Sequence, residues 1–128
     1  MSTLLSNLRA SAPSVRIWAT ITSSASLDDS AWHIAWKPPA GVQRTFDLRD
    51  RALSVSAVHG KGFEAQGRVY GHVMDPRAGA PMTAARAVAV VGSASLECDA
   101  LSTALLVLGP DWLAEFGRRF PHFEAVVV

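Results

Sequence analysis

Residues 87–110 read Ala-Val-Ala-Val-Val-Gly-Ser-Ala-Ser-Leu-Glu-Cys-Asp-Ala-Leu-Ser-Thr-Ala-Leu-Leu-Val-Leu-Gly-Pro, and two different periodicities meet inside them. Ala87 to Val91 is a short continuous apolar run rich in valine, as a central strand buried on both faces requires. From Leu96 to Leu108 the pattern becomes helical. Ser93 or Ser95 is placed to cap that helix, and Gly109-Pro110 to end it. Leu96, Ala100, Leu101, Ala104, Leu105, Val107 and Leu108 cover nearly the whole circumference, which predicts a helix buried all round.

Downstream, Asp111 is placed to cap a second helix with an apolar stripe of Trp112, Leu113, Phe116 and Phe120. Glu124 to Val128 reads as a last short strand. Upstream, the alternation has period 2. Val15 to Thr22, Trp32 to Trp36, Arg44 to Leu48 and Leu53 to Ala57 are predicted strands. Between the first two lies a small polar loop, Ser23 to Ser30, and Pro38-Pro39 with Gly41 terminates the second. Arg49-Asp50-Arg51 is turn-like. Gly60, Gly62 and Gly67 mark a flexible stretch before a strand from Val69 to Met74 and an Asp75–Gly79 turn. The expectation is one α+β domain over residues 1–128, with a mainly antiparallel sheet and two carboxyl-terminal helices.

Composition narrows the function classes. Of 128 residues, 49% are hydrophobic and 18% charged, the balance of a chain with a real core. A net charge of +1 gives no broad field for nucleic acid or an anionic membrane. The four tryptophans need no function, because Trp18, Trp32 and Trp36 fall in strand-like segments where packing explains them. Cys98 is the only cysteine, so no intrachain disulfide forms. The amino terminus has no apolar run of signal-peptide length, no lipobox-type cysteine stands near it, and a soluble cytoplasmic chain is expected.

Two clusters carry chemistry. Asp99 sits in the first turns of the helix with Thr103 one turn above it on the same face. A carboxylate and a hydroxyl at that spacing offer two hard oxygens to one point, which suits magnesium because it takes few protein ligands. The alternative is an Asp99 that accepts backbone amides near the helix amino terminus. The second cluster is Tyr70-Gly71-His72-Val73-Met74-Asp75-Pro76-Arg77-Ala78-Gly79. It places a histidine able to move protons and an arginine able to hold a phosphate in one short loop. It also reads as a structural turn in which Asp75 accepts loop amides and His72 is satisfied in the sheet.

Ala52-Leu53-Ser54-Val55-Ser56-Ala57 followed by Gly67–Gly79 resembles the ApbE family's A-L-A-T-S-G and G-K-R-Y-S-H-I-I-D-P-R-T-G patterns. Ser95–Pro110 is similar to its A-D-A-L-S-T-A-L-x-V-L-G-P helix. Weaker similarity reaches Trp32–Pro38 and Asn7-Leu8-Arg9-Ala10. The resemblance implies the carboxyl-terminal half of a FAD:protein FMN transferase, which moves FMN from its substrate FAD onto a threonine of an acceptor flavoprotein. It implies Asp99 and Thr103 as Mg2+ ligands and His72 as the group that activates the acceptor threonine or acts at the transferred phosphate. Ser56, His72 and Val73 match flavin-site positions. Gly71 stands where the pattern has serine, Ala57 where it has glycine, Ala78 where it has threonine, and His59 where tyrosine is common. The family's amino-terminal half has no counterpart, so a separate amino-terminal half or a homodimer is the implied partner; a non-catalytic flavin-binding or interaction domain, or a degenerate fragment, are the other readings.

Overall fold

Strand β9, Ala87–Gly92, is buried along its whole length. The computed structural model describes residues 21–22, 31–58, 62–84 and 86–128. In chain order these form β1 (Ile21–Thr22), β2 (Trp32–Trp36), β3 (Arg44–Leu48), β4 (Ala52–Ala57), β5 (Gly62–Ala65), β6 (Arg68–Gly71), β7 (Met74–Asp75), β8 (Ala80–Pro81) and β9. Helix α1 (Ser95–Leu108), a 3-10 turn at Pro110–Trp112, helix α2 (Leu113–Arg119) and β10 (Glu124–Val127) complete it. β9 lies between β4 and β10 in an antiparallel sheet of order β1-β4-β9-β10. The other pairs, β2-β3, β5-β6 and β7-β8, are antiparallel two-stranded ribbons.

The pleat sorts β9 onto two faces. Val88 and Val90 join Cys98, Leu105, Leu106 and Phe116 in a core under the helices. Ala87, Ala89 and Val91 join Trp36 and Leu48 of the β2-β3 ribbon in a core on the opposite face. β4 alternates in the same way, Ala52 toward the helices and Leu53 and Ala57 toward the ribbon. By that parity Ser54 and Ser56 project under α1, opposite Val90 and Val88 in register. Two hydroxyls therefore stand where a strand would ordinarily pack apolar atoms against a helix.

Several expectations need correction. Helix α1 is not buried all round. Its buried residues are Cys98, Ser102, Leu105 and Leu106, while Leu96 is 80% exposed and Ala100 and Ala104 face outward. Ala94 is its cap and no serine side chain caps it. Asp111 caps nothing either. It lies within the 3-10 turn, where Pro110 tightens the chain so that the Trp112 amide donates to the Gly109 carbonyl at 3.2 Å, and α2 begins after Trp112. The Val69–Met74 strand breaks at His72-Val73 into β6 and β7. The flexible stretch instead contains β5, joined to β6 by a Gln66-Gly67 turn with φ of 53° and 72°. Asn and Asp are the usual residues at the first of these positions, so glutamine concealed the hairpin. The Val15–Thr20 part of the first strand, the Ser23–Ser30 loop, Asn7–Ala10, Trp18 and His59 lie outside the described residues.

The carboxyl end of α1 has no basic residue in its own last turn. Its unpaired carbonyls are met by arginines from elsewhere: Arg86 donates to the Leu106 carbonyl at 2.8 Å and Arg77 to the Val107 carbonyl at 3.0 Å. The Gly109 amide, at φ 90°, returns to the Leu105 carbonyl at 2.8 Å. No helix among the described residues is long and apolar enough to cross a membrane.

Two stability predictions follow from this packing. Leu106 has no exposed surface, so Leu106→Ala should lower stability by about 2–5 kcal/mol in urea denaturation. Leu96→Ala on the same helix should stay within about 0.5 kcal/mol. A Cβ built on Gly71 would lie 2.6 Å from Val58 Cγ1 and 2.9 Å from the Met82 carbonyl oxygen. Gly71→Ser, which restores the residue of the family pattern, should therefore cost about 1–3 kcal/mol by overpacking. Adding Val58→Ala should recover part of that loss, measured as a double-mutant cycle.

Candidate functional site

Helix α1 presents Asp99 and Thr103 on the flank that overhangs β4, one turn apart. The β6–β7 break brings His72 and Val73 to the same edge. Together with Val55, Ser56 and Ala57 of β4 they line one cavity of about 200 Å³. Ser56, His72, Val73, Asp99 and Thr103, all singled out from the sequence, thus border a single space, whereas Arg77 does not line it. His72 is exposed, and Val73 is half-buried against the helix-side core. Asp99 is exposed rather than buried. A helix buried all round would have buried this carboxylate; instead its surroundings leave it open to the cavity.

A chain of hydroxyls runs beneath these groups. Ser54 Oγ donates to Asp99 Oδ1 at 3.1 Å and lies 3.2 Å from Ser102 Oγ. Ser102 Oγ donates to the Asp99 carbonyl at 3.0 Å and lies 2.8 Å from Ser56 Oγ, which lies 3.1 Å from Thr103 Oγ1. Ser54 and Ser102 are 1% and 0% exposed, so leaving either hydroxyl unbonded would cost its full desolvation. Among the described residues no buried side-chain nitrogen or oxygen lacks a partner. Sequence reasoning gave these two serines no role. The signal was present in the Ser-Val-Ser alternation of β4 and in the Ser102 next to Thr103.

The donor set can be tested against a metal. It comprises one carboxylate and one hydroxyl, both hard oxygens, on one helix flank. Among the described residues no three His, Cys, Asp or Glu side chains cluster. A closed all-protein cage of the zinc kind therefore has no ligands here, whereas magnesium takes one or two carboxylates and leaves other positions to water and substrate phosphate. The residues fit magnesium.

Arg77 has a different place from a phosphate-holding arginine. Its Nε and Nη2 grip Asp75 at 3.0 and 2.8 Å while Nη2 also reaches the Val107 carbonyl. The Asp75 carboxylate also accepts the Arg77 amide at 2.9 Å. The turn is thus the structural one left open above, pinned to the end of α1. The Arg77 bonds hold the Asp75 carboxyl down at about 2. Cys98, fully buried, has its thiol pushed up by desolvation and packs as a core residue.

A helix laid on an antiparallel sheet thus carries at its flank a cavity bordered by hydroxyls, one carboxylate and one histidine. Comparison with known proteins gives the family. The ApbE family model matches residues 15–127, and the chain belongs to the ApbE family. It is 33% identical over 93 residues to the FAD:protein FMN transferase of Escherichia coli K12, covering 69% of this chain and 26% of that protein. The apo flavinyl transferase ApbE of Pseudomonas stutzeri is 38% identical, with a TM-score of 0.59 over 77% of this chain and 31% of that one. The ApbE protein of Thermotoga maritima is 25% identical, with a TM-score of 0.75 over 87% of this chain and 38% of that one. The fold expected from the sequence, a mainly antiparallel sheet with two carboxyl-terminal helices, is the fold observed. The chain spans about a quarter of the length of the curated relatives it matches.

The Asp75–Arg77 pair gives a pH test. A carboxyl lowered on folding stabilises the turn fully above its ordinary value near 3.8, and that contribution is lost as pH falls toward about 2. NMR titration of Asp75 should find a midpoint near 2, returning toward 3.8 in Arg77→Ala.

Proposed function

We propose that this chain carries the phosphate-facing half of a flavin transferase site and takes part in magnesium-dependent transfer of FMN from FAD to a threonine of a target flavoprotein. The observation that carries the reading is the convergence of His72, Ser56, Val73, Asp99 and Thr103 on one cavity from three separate elements. The relatives named FAD:protein FMN transferase support the substrate class.

In this reading the acceptor threonine oxygen forms a bond to the FMN-side phosphorus of FAD. The bond from that phosphorus to the bridging oxygen breaks, and AMP leaves with the electron pair. His72, at the exposed rim, takes the hydroxyl proton of the acceptor or steadies the transferred phosphate. Asp99 and Thr103 would hold the magnesium, which when bound neutralises charge on the pyrophosphate. Val73 offers an apolar edge to the flavin, and Ser56 lines the cavity floor between them.

A second reading is favoured by length. The chain matches 26–38% of its relatives' length, so most of the wall that they build lies outside these 128 residues; in this reading these residues bind flavin and turn it over only together with that remainder.

The chain is incubated with FAD, Mg2+ and a peptide bearing an acceptor threonine, and AMP release is followed. Asp99→Ala and His72→Ala should each lower the rate about 100-fold or more. FAD binding without AMP, with AMP appearing when the remaining portion of a relative is added, would identify the two-part enzyme. Failure to bind or cleave FAD in either case would remove the transferase reading.

A further inference from the structure

Four hydroxyls under the cavity, Ser54, Ser56, Ser102 and Thr103, have four protons for five contacts, and the order that makes most bonds runs inward from Thr103. A serine or threonine hydroxyl has one proton to donate and two lone pairs with which to accept. In that order the Ser102 proton goes to the Asp99 carbonyl at 3.0 Å and the Ser54 proton to the carboxylate, so the longest contact, Ser54–Ser102 at 3.2 Å, is the one left without a proton. In the 2.8 Å contact between Ser56 and Ser102, Ser56 must then be the donor. With that proton committed, the 3.1 Å contact between Ser56 and Thr103 requires Thr103 to donate. The order runs Thr103 to Ser56 to Ser102 to the Asp99 backbone. At the other end Ser54 necessarily donates to the carboxylate, at 3.1 Å.

This order has a consequence for the exposed end. The Thr103 hydroxyl gives its proton inward to Ser56, so its lone pairs are what it presents on the cavity side. A neutral hydroxyl in that orientation is a cation ligand, and in the reverse orientation it repels one. Resting on the magnesium reading above, we infer that Ser102 and Ser54 are positioning residues. Ser102, through Ser56, turns Thr103 into an outward acceptor, and Ser54 holds one oxygen of Asp99. Neither serine lines the cavity. The ApbE pattern quoted above has alanine at the position of Ser54, so that half of the device belongs to this chain rather than to the pattern.

The test is metal affinity and a metal-free conformational readout. Magnesium is titrated calorimetrically into the chain with FAD present. Ser102→Ala releases the Ser56 proton to turn on Thr103, and affinity should fall about 10- to 100-fold, the range for groups that orient metal ligands. Ser54→Ala should fall within the same range, and Ser56→Thr, which keeps the relay hydroxyl, should bind within about threefold of wild type. Val90→Ala, a buried change with no hydroxyl, should lose stability without losing affinity. Without metal, three-bond couplings should show a single Thr103 χ1 rotamer in wild type and averaging in Ser56→Ala.

The outcomes separate the two ideas. If wild type binds magnesium and Asp99→Ala does not, but Ser102→Ala and Ser54→Ala bind as wild type does, the positioning role is overturned and the metal reading stands. If wild type takes up no magnesium, the metal reading falls and the positioning role falls with it, whatever the rotamer data show. Should Ser102→Ala fail to fold, Ser54→Ala and the Ser56 pair carry the same decision.

Discussion

A buried hydroxyl has a single proton, and Ser102, with no exposed surface, gives its proton to the carbonyl of Asp99 in its own helix. Its remaining bonds must therefore come from β4, and β4 has hydroxyls only at Ser54 and Ser56. That requirement fixes how α1 sits. A helix held on a sheet by apolar side chains alone can slide or roll at modest cost, because dispersion and hydrophobic burial are non-directional. Here a one-residue roll would bring Leu96 toward the sheet but break the contacts of Ser54 and Ser56 with Ser102, each hydroxyl left unbonded costing about 1–3 kcal/mol. The apolar stripe of Cys98, Leu105 and Leu106 supplies adhesion; the hydroxyls supply register.

The rim of the cavity is tied to the same helix from its other end. Arg77 links the Asp75 turn to the Val107 carbonyl, and Met82 closes the segment by donating its amide to the Val73 carbonyl at 2.8 Å. His72 and Val73 are thus held between a strand end and a turn that is anchored on α1. A change at the carboxyl end of the helix reaches the histidine through Arg77, without passing through Asp99. The turn after His72 is anchored at the carboxyl end of α1 through Arg77, and Asp99 is held near the amino end through Ser54.

What the sequence displayed and what it concealed divide along physical lines. The burial of β9 was legible because a five-residue run without a polar side chain has few other places to go. The Asp99–Thr103 pair and the His72 loop were legible as local patterns, and their meeting follows from β4 and α1 packing face to face. The burial of α1 was misread because leucine and alanine do not reveal which side meets a sheet. Its true interface is marked by Cys98 and Ser102, residues that a hydropathy pattern discounts. The end of α1 at Gly109-Pro110 was legible and Gly109 is its cap, whereas no serine caps the amino end and the arginines that meet the last carbonyls, Arg77 and Arg86, are distant in sequence. Gln66 concealed a hairpin because its backbone adopts a left-handed conformation that glutamine rarely takes.

Ser54 shows how a site residue and a core residue become one. Alanine at its position, as in the family pattern, would pack under the helix at no electrostatic cost. A serine there removes a hydroxyl from water and is tolerated only if bonded. One of its bonds goes to the Asp99 carboxylate, a charge-assisted interaction stronger than a bond between two neutral groups. The carboxylate at the mouth of the cavity therefore contributes to the stability of the interface below it, and the interface in turn restricts where the carboxylate points. In this chain the ordering of Asp99 is built into folding, so a ligand that needs that oxygen in place finds it already oriented and loses less entropy on binding.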